Sequence, residues 1–499
     1  MVIALDILSG SVGRRTQFRL LVALTIVWAL WAGWSLVGRA TPYTLRVLDD
    51  TGTPIAAASV DVRDTQVGTS SEDGTIEIEW RRSASVLEVS AAGHIPKTLT
   101  LAKRPDGVVD VVLNARILRG RVTDIEGVPV EAVRVIAGPA TGSTDGEGRF
   151  SLRGAEPGVV EVSRPAWVET TFDWDGGVGE AVVEMSPFIA RAVHITGEAA
   201  GDDVDRFFDM AESTELNALM LDLKDESGLV WYNSEDPVAI EVGAVRSVYD
   251  LGAIATRADQ ADLYLIGRLV VFNDPTAAIR KPSMAVWDSE LNEPYSAAGQ
   301  YFLDPTDPEA RAYGLALATE VCEMGVDEVQ FDYVRFPDRR SDAATFDEGV
   351  SLETRTRTIT TFLGDAVALL HPMGCAVGAD VFGFTTAPGI DDGGIGQRWE
   401  DVTGIVDVAS PMVYPSHYDP DWYGFENPND HPGPMVTRAI EDGMERLPRN
   451  VVVRPWLQDF GYTTDQVRAQ IESAEQFDLG WMLWNATSTV TVDALLRIE

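Results

Sequence analysis

Val329-Gln330-Phe331-Asp332-Tyr333-Val334-Arg335-Phe336-Pro337 reads as a buried strand that ends in an acid. Side chains alternate along a strand, so Val329 and Phe331 point one way and Gln330 and Asp332 the other. A buried carboxylate is costly unless it is paired or used. Arg335, just past the strand end, is placed to supply the pairing charge. Pro337 stops the strand. A later run, Ala376-Val377-Gly378-Ala379-Asp380-Val381-Phe382-Gly383, has the same design. Gly378 and Ala376 leave open space on the side of the strand that carries Asp380, which suits a ligand better than a filled core.

Outward from these two strands the pattern holds from about Phe188 to the C-terminus. Apolar runs alternate with amphipathic helical stretches, the mark of a parallel β/α fold. The predicted strands are Arg191–Ile195, Ala218–Lys224, Leu263–Phe272, Glu328–Val334, Ala376–Phe382, Val406–Tyr414, Val451–Trp456 and Gly480–Trp484. Helices are predicted at Pro308–Met324, Leu352–Leu370, Pro434–Arg446 and Thr464–Gln476. Eight strands in this order predict a (β/α)8 TIM barrel over residues 188–499, with Tyr232–Leu251 as an elaboration. An open doubly wound sheet is the alternative, weakened because no Gly-rich phosphate loop follows a strand.

The region before the barrel is different. Asp49-Asp50-Thr51-Gly52-Thr53-Pro54 and Asp124-Ile125-Glu126-Gly127-Val128-Pro129 share an Asp-x-x-Gly-x-Pro turn about 75 residues apart. Glu72-Asp73-Gly74 and Gly146-Glu147-Gly148 then repeat a tight turn into a strand. Two all-β sandwich domains follow from this, at residues 43–115 and 117–187. The turn motif resembles that of carboxypeptidase-regulatory-like sandwich repeats, which implies a spacer on an exported protein.

From Leu20 to Val37 the chain is almost wholly apolar, about long enough to cross a bilayer. Arg14, Arg15 and Arg19 precede it, which keeps residues 1–19 in the cytoplasm. No clean cleavage site follows, so residues 20–38 are read as an uncleaved transmembrane anchor rather than a signal peptide. The remainder is then extracytoplasmic.

The formal net charge is -39, which argues against nucleic acid as a partner, because phosphate binding needs a basic face. Five scattered histidines form no zinc pattern, so no metal is expected, and no other cofactor is called for. Cys322 and Cys375 read as two buried free thiols; an exported location would also permit a disulfide.

In a barrel the active site lies where strands end. Those ends supply Asp222 and Lys224, then Asp332 and Arg335, then Asp380, then Tyr414, then Trp456 and Gln458, and finally Trp484. Asp332 and Asp380 are the predicted catalytic pair, since two carboxylates flanking a cleft are what cleavage of a glycosidic bond requires. The others are candidate sugar contacts, with aromatic rings to stack on pyranose faces. Each has a plainer reading. Asp222 and Lys224 share a strand face and would neutralise each other; the two tryptophans would pack the core. A Ser/His elbow or Cys/His pair is not visible.

The run Gln330-Phe331-Asp332-Tyr333-Val334-Arg335-Phe336-Pro337 resembles the signature of a bacterial glycosyl hydrolase family with a TIM-barrel domain. Leu221-Asp222-Leu223-Lys224-Asp225, Gly378-Ala379-Asp380-Val381-Phe382-Gly383, Ser410-Pro411-Met412-Val413-Tyr414 and Pro455-Trp456-Leu457-Gln458 extend the likeness across residues 188–499. The resemblance implies Asp332 as nucleophile and Asp380 as general acid/base; the substrate expected is a polysaccharide or oligosaccharide. The expectation is a membrane-anchored, extracytoplasmic glycoside hydrolase that retains configuration if its carboxyls stand close together. The alternative is a surface protein that grips carbohydrate without cutting it.

Overall fold

Eight mostly apolar runs form the strands that build the C-terminal part of the chain. They are β1 (Arg191–Ile195), β2 (Ala218–Lys224), β3 (Tyr264–Val270), β4 (Glu328–Asp332), β5 (Ala376–Phe382), β6 (Val408–Val413), β7 (Trp456–Gln458) and β8 (Trp481–Trp484). The computed structural model describes residues 41–497 except 63–64, 81–84, 339 and 449, together with 22–23 and 25–28. Each strand pairs in parallel with the next, and β1 also pairs with β8, so the sheet closes. This is a TIM barrel.

The alternation read from Val329 onward is present in three dimensions. Val329 and Phe331 face outward into a core shared with Phe362 and Leu317, which lie on the surrounding helices. Gln330 turns inward to Asp380. Helices begin where the sequence caps them. Asp307 accepts the amide of Ala310 ahead of Pro308–Glu323, Ser351 accepts that of Thr354, and Thr463 forms a capping box with Gln466.

Among the boundaries that differ from expectation, two bear on the site. The fourth strand stops at Asp332 rather than Val334, because Tyr333 takes φ 49° and leaves the extended region. The seventh is split: Val452–Val453 and then Trp456–Gln458 pair separately with β6. In the elaboration after β2, Val230–Tyr232 runs antiparallel to β2 and pairs with Val245–Tyr249. The hydroxyl of Tyr249 donates to the carbonyl of Asp222 at 2.6 Å, bracing the mouth of β2.

Ahead of the barrel stand two sandwiches, each a three-stranded sheet against a four-stranded one. In the first, Thr41–Asp49 lies between Thr75–Trp80 and Val108–Leu113; in the second, Ile117–Thr123 lies between Arg149–Arg153 and Glu180–Glu184. Their turns share hydrogen bonds as well as letters. Asp49 accepts the amides of Thr51 and Thr53, and Asp124 those of Glu126 and Val128. The second sandwich abuts the N-terminal end of the barrel. Ala166 packs with Ala376, Val408 and Val452, and Arg164 donates to the carbonyl of Asn450 at 2.7 Å.

The apolar segment 20–38, apart from 22–23 and 25–28, lies outside the described residues, as do residues 1–19. Among the described residues no helix is long and apolar enough to cross a membrane.

The reading of two free thiols is corrected. Cys322, late in the helix Pro308–Glu323, is bonded to Cys375 at the foot of β5, with Cα atoms 6.0 Å apart. The fold brings together two residues 53 apart in sequence that spacing alone could not pair. Replacing both by serine should lower unfolding free energy by about 2–4 kcal/mol, measured by urea denaturation. Wild type under reducing conditions should shift to match the variant.

Candidate active site

Arg268 occupies the middle of β3, a strand otherwise made of Tyr, Leu, Ile, Gly and Val. Its side chain turns into the barrel and is almost wholly buried. Such a cation needs partners, and it has three carboxylates. Nη1 donates to Asp222 at 2.8 Å, Nε to Asp332 at 3.0 Å, and Nη2 to both Asp332 and Glu226. Burial lowers the guanidinium's proton affinity, but Glu226, Asp332 and Asp222 outweigh it and raise the pKa well above the usual arginine value. The group also lies over the ring of Trp484 at 4.8 Å.

Asp332 ends β4 at the rim of a cavity of about 670 Å³ that opens at the C-terminal ends of the strands. One carboxylate oxygen faces Arg268, and the other accepts the amide of Tyr333 at 2.6 Å. Tyr333, which supplies that amide, takes the left-handed backbone. A bulky residue rarely adopts this conformation, and such strain clusters at functional sites. The expectation that Arg335 pairs Asp332 is corrected. Arg335 instead bonds Asp338 at 3.2 Å and the carbonyl of Phe336, and lies against the rings of Tyr333, Phe382 and Phe302. It still lines the cavity.

Asp380 lies deeper. It is fully buried and is not part of the cavity wall. Its Oδ1 accepts from the amide of Gln330 at 2.6 Å and from the indole of Trp456 at 2.5 Å; its Oδ2 has no protein partner. Burial, then the negative charge of Asp332, push its pKa well above the usual carboxylate range. The open space expected beside it is absent. A Cβ at Gly378 would come 2.3 Å from the Gln330 amide oxygen and 2.9 Å from a carboxylate oxygen of Glu328. Gly378 therefore makes room for polar side chains within the barrel, not for a ligand.

Of the remaining predicted contacts, Tyr414, Trp456 and Trp484 line the cavity. Burial, then Asp380, raise the Tyr414 phenol well above its ordinary value. Trp484 stacks on His194 with centroids 4.0 Å apart. Asp222 is below the floor, between Arg268 and His194. Burial raises its pKa, yet His194 and Arg268 together bring it below the usual value. Lys224 does not neutralise Asp222. A register shift between the two turns it away, and it meets Asp274 and the carbonyl of Val270. His194 Nε2 lies 3.0 Å from an Asp222 oxygen, and Lys224 Nζ lies 3.0 Å from an Asp274 oxygen. Gln458 is likewise structural. It accepts from Ser416 and donates to Phe460, and its backbone amide is held by Gln470.

Sequence reasoning missed Arg268 and Glu226. The signal for Arg268 was present, since an arginine inside a buried apolar strand demands partners. For Glu226 there was none, because it sits in a short loop after β2 among other acids. Phe382, Phe384 and Trp422 were also passed over as cavity walls.

A closed parallel barrel whose mouth combines an ion-paired acid with aromatic walls defines the class: a TIM-barrel domain equipped for carbohydrate. The family described as "putative glycosyl hydrolase domain" matches residues 192–490. The chain belongs to that family, and its barrel is a glycosyl hydrolase domain. Among solved structures, a hypothetical protein from Ruminiclostridium thermocellum ATCC 27405 is 33% identical over 38% of this chain and 97% of its own, with a TM-score of 0.35. The PgaB (BpsB) glycoside hydrolase domain from Bordetella bronchiseptica is 13% identical over 60% and 95%, TM-score 0.44. The glycoside hydrolase domain of PelA from Pseudomonas aeruginosa is 10% identical over 62% and 98%, TM-score 0.36. No curated protein matches the chain.

The raised pKa of Asp380 sets a pH signature. A carboxyl that stays protonated when folded but ionises when unfolded loses stability as pH rises above about 4. Asp380→Asn keeps the acceptor for Gln330 and Trp456 and removes that loss. The stability difference, variant minus wild type, should therefore move in the variant's favour between pH 4 and pH 8, as read from denaturant midpoints.

Proposed function

We propose that the chain is a membrane-anchored, extracytoplasmic glycoside hydrolase that cleaves a polysaccharide or oligosaccharide at the barrel mouth with retention of configuration. The observation that carries this reading is Asp332, ion-paired with Arg268 and exposed to an aromatic-walled cavity. A carboxylate there meets the anomeric carbon, and rings such as Trp422 and Phe384 offer faces to pyranose rings. Tyr333 and Arg268 hold the two Asp332 oxygens, so the group is aimed before substrate arrives. In this reading Asp380 does not protonate the leaving oxygen, because Trp456 and Gln330 cover it. It remains neutral and keeps a further negative charge away from Asp332.

The address rests on three features. The apolar run 20–38 follows a basic flank. The Cys322–Cys375 bond fits an oxidising compartment. The second sandwich abuts the end of the barrel opposite the cavity, as a spacer on an anchored enzyme would.

The test is incubation of the full-length chain with a panel of purified bacterial polysaccharides, reading new reducing ends. Asp332→Asn should lower release by about 10⁴-fold or more while leaving the circular dichroism spectrum unchanged. Undiminished activity in that variant would refute the assignment. A chain that binds a glycan of the panel and never cuts it would be a carbohydrate-binding surface protein.

A further inference from the structure

With Asp380 sealed beneath the floor, the reaction proposed above lacks a proton donor. Two carboxylates must flank the scissile bond, and both must reach it. Glu226 is the second acid that does so. Its side chain is 36% exposed, against 7% for Asp332, and both residues line the cavity. One nitrogen of Arg268 touches both carboxylates. Two oxygens that bond the same nitrogen stand within roughly 6 Å of each other, short of the roughly 6.5–9.5 Å of an inverting pair.

The loop that carries Glu226 is built rather than slack. Asp225 accepts the amides of Ser227 and, through its carbonyl, Gly228. Gly228 takes φ +74°, and a Cβ there would lie 2.0 Å from a carboxylate oxygen of Asp274. Thr276 donates to the carbonyl of Ser227 at 2.7 Å. Asp274 is in turn set by Lys224 and by the helix it caps, Pro275–Arg280. The run Lys224 to Gly228 thus serves to present the glutamate between its two ends.

We infer that Glu226 is the catalytic general acid/base of this site, working against Asp332 as nucleophile. This rests on the hydrolase reading. In the first step an Asp332 oxygen bonds to the anomeric carbon as the glycosidic C–O bond breaks. The bonding pair passes to the leaving oxygen, which takes a proton that Glu226 draws from solvent as its carboxylate parts from Arg268. In the second step a water oxygen bonds to the anomeric carbon and gives its proton to Glu226. The Asp332 ester bond breaks, and its electron pair returns to the carboxylate. Glu226 exchanges protons with solvent, to which it is the most open of the acids on Arg268.

The test compares full-length wild type, Glu226→Gln and Glu226→Ala on two kinds of probe. One is whichever purified polysaccharide of the panel the wild type cuts; the other is a set of 2,4-dinitrophenyl glycosides, whose leaving group needs no proton. Loss of the acid should cut polysaccharide turnover by about 100-fold or more, with far less effect on the first-turnover burst of dinitrophenolate. Azide, which attacks without a base, should restore steady-state turnover of the dinitrophenyl glycosides by the Ala variant and yield a glycosyl azide. Unchanged polysaccharide turnover in both variants overturns the assignment. So does equal loss of polysaccharide turnover and of the dinitrophenolate burst, without azide rescue, in variants whose melting temperature matches wild type. A wild type that releases neither sugar nor phenolate overturns the hydrolase reading, and the acid role with it.

Discussion

One buried guanidinium organises this barrel. Arg268 projects inward from β3 and meets acids from β2, from the loop after β2, and from β4. Burying a charge is costly unless it is paired with good geometry, and breaking such a pair costs about 3–5 kcal/mol. The floor of the cavity is thereby tied across three strands. The same ion pair that steadies the barrel also fixes the direction of Asp332. Stability and preorganisation here come from one set of contacts.

The polar interior below extends the same logic. Glu328 pairs with Arg454, each fully buried; Gln330 turns to Asp380; and Trp456 covers Asp380 from above. Asp380 therefore belongs to the barrel's internal network. Its neutral form suits a position beside Asp332, because two neighbouring negative charges in one buried space repel. The interior also holds an apolar layer that includes Ala192, Met220, Ile266 and Met482, while Phe331, Val329 and Leu221 on the outer face of the sheet meet the helices.

The parts of the chain divide their tasks by position. The sandwiches repeat one turn and one strand order, and the second meets the barrel through small apolar contacts and Arg164. The cavity opens at the other end, where every strand delivers its last residues. Loops at that end vary freely while the barrel beneath stays intact, which is how one fold carries many chemistries.

Much of this was legible in the chain itself. Strand periodicity, capping residues and Pro or Gly stops are local properties, so the eight strands and four of the flanking helices could be read from neighbouring residues. Asp332, Tyr414 and Trp484 were within reach for the same reason, as they sit at strand ends; Trp456, read as the end of its strand, opens β7 instead. What sequence could not decide was which groups meet across the barrel. Arg268 displaced Arg335 as the partner of Asp332, a register shift parted Lys224 from Asp222, Cys322 found Cys375, and Asp380 sank below Trp456. Local pattern tells which way a side chain leaves its own strand. Pairing, depth and access depend on how far apart strands lie after closure, and only the folded barrel sets those distances.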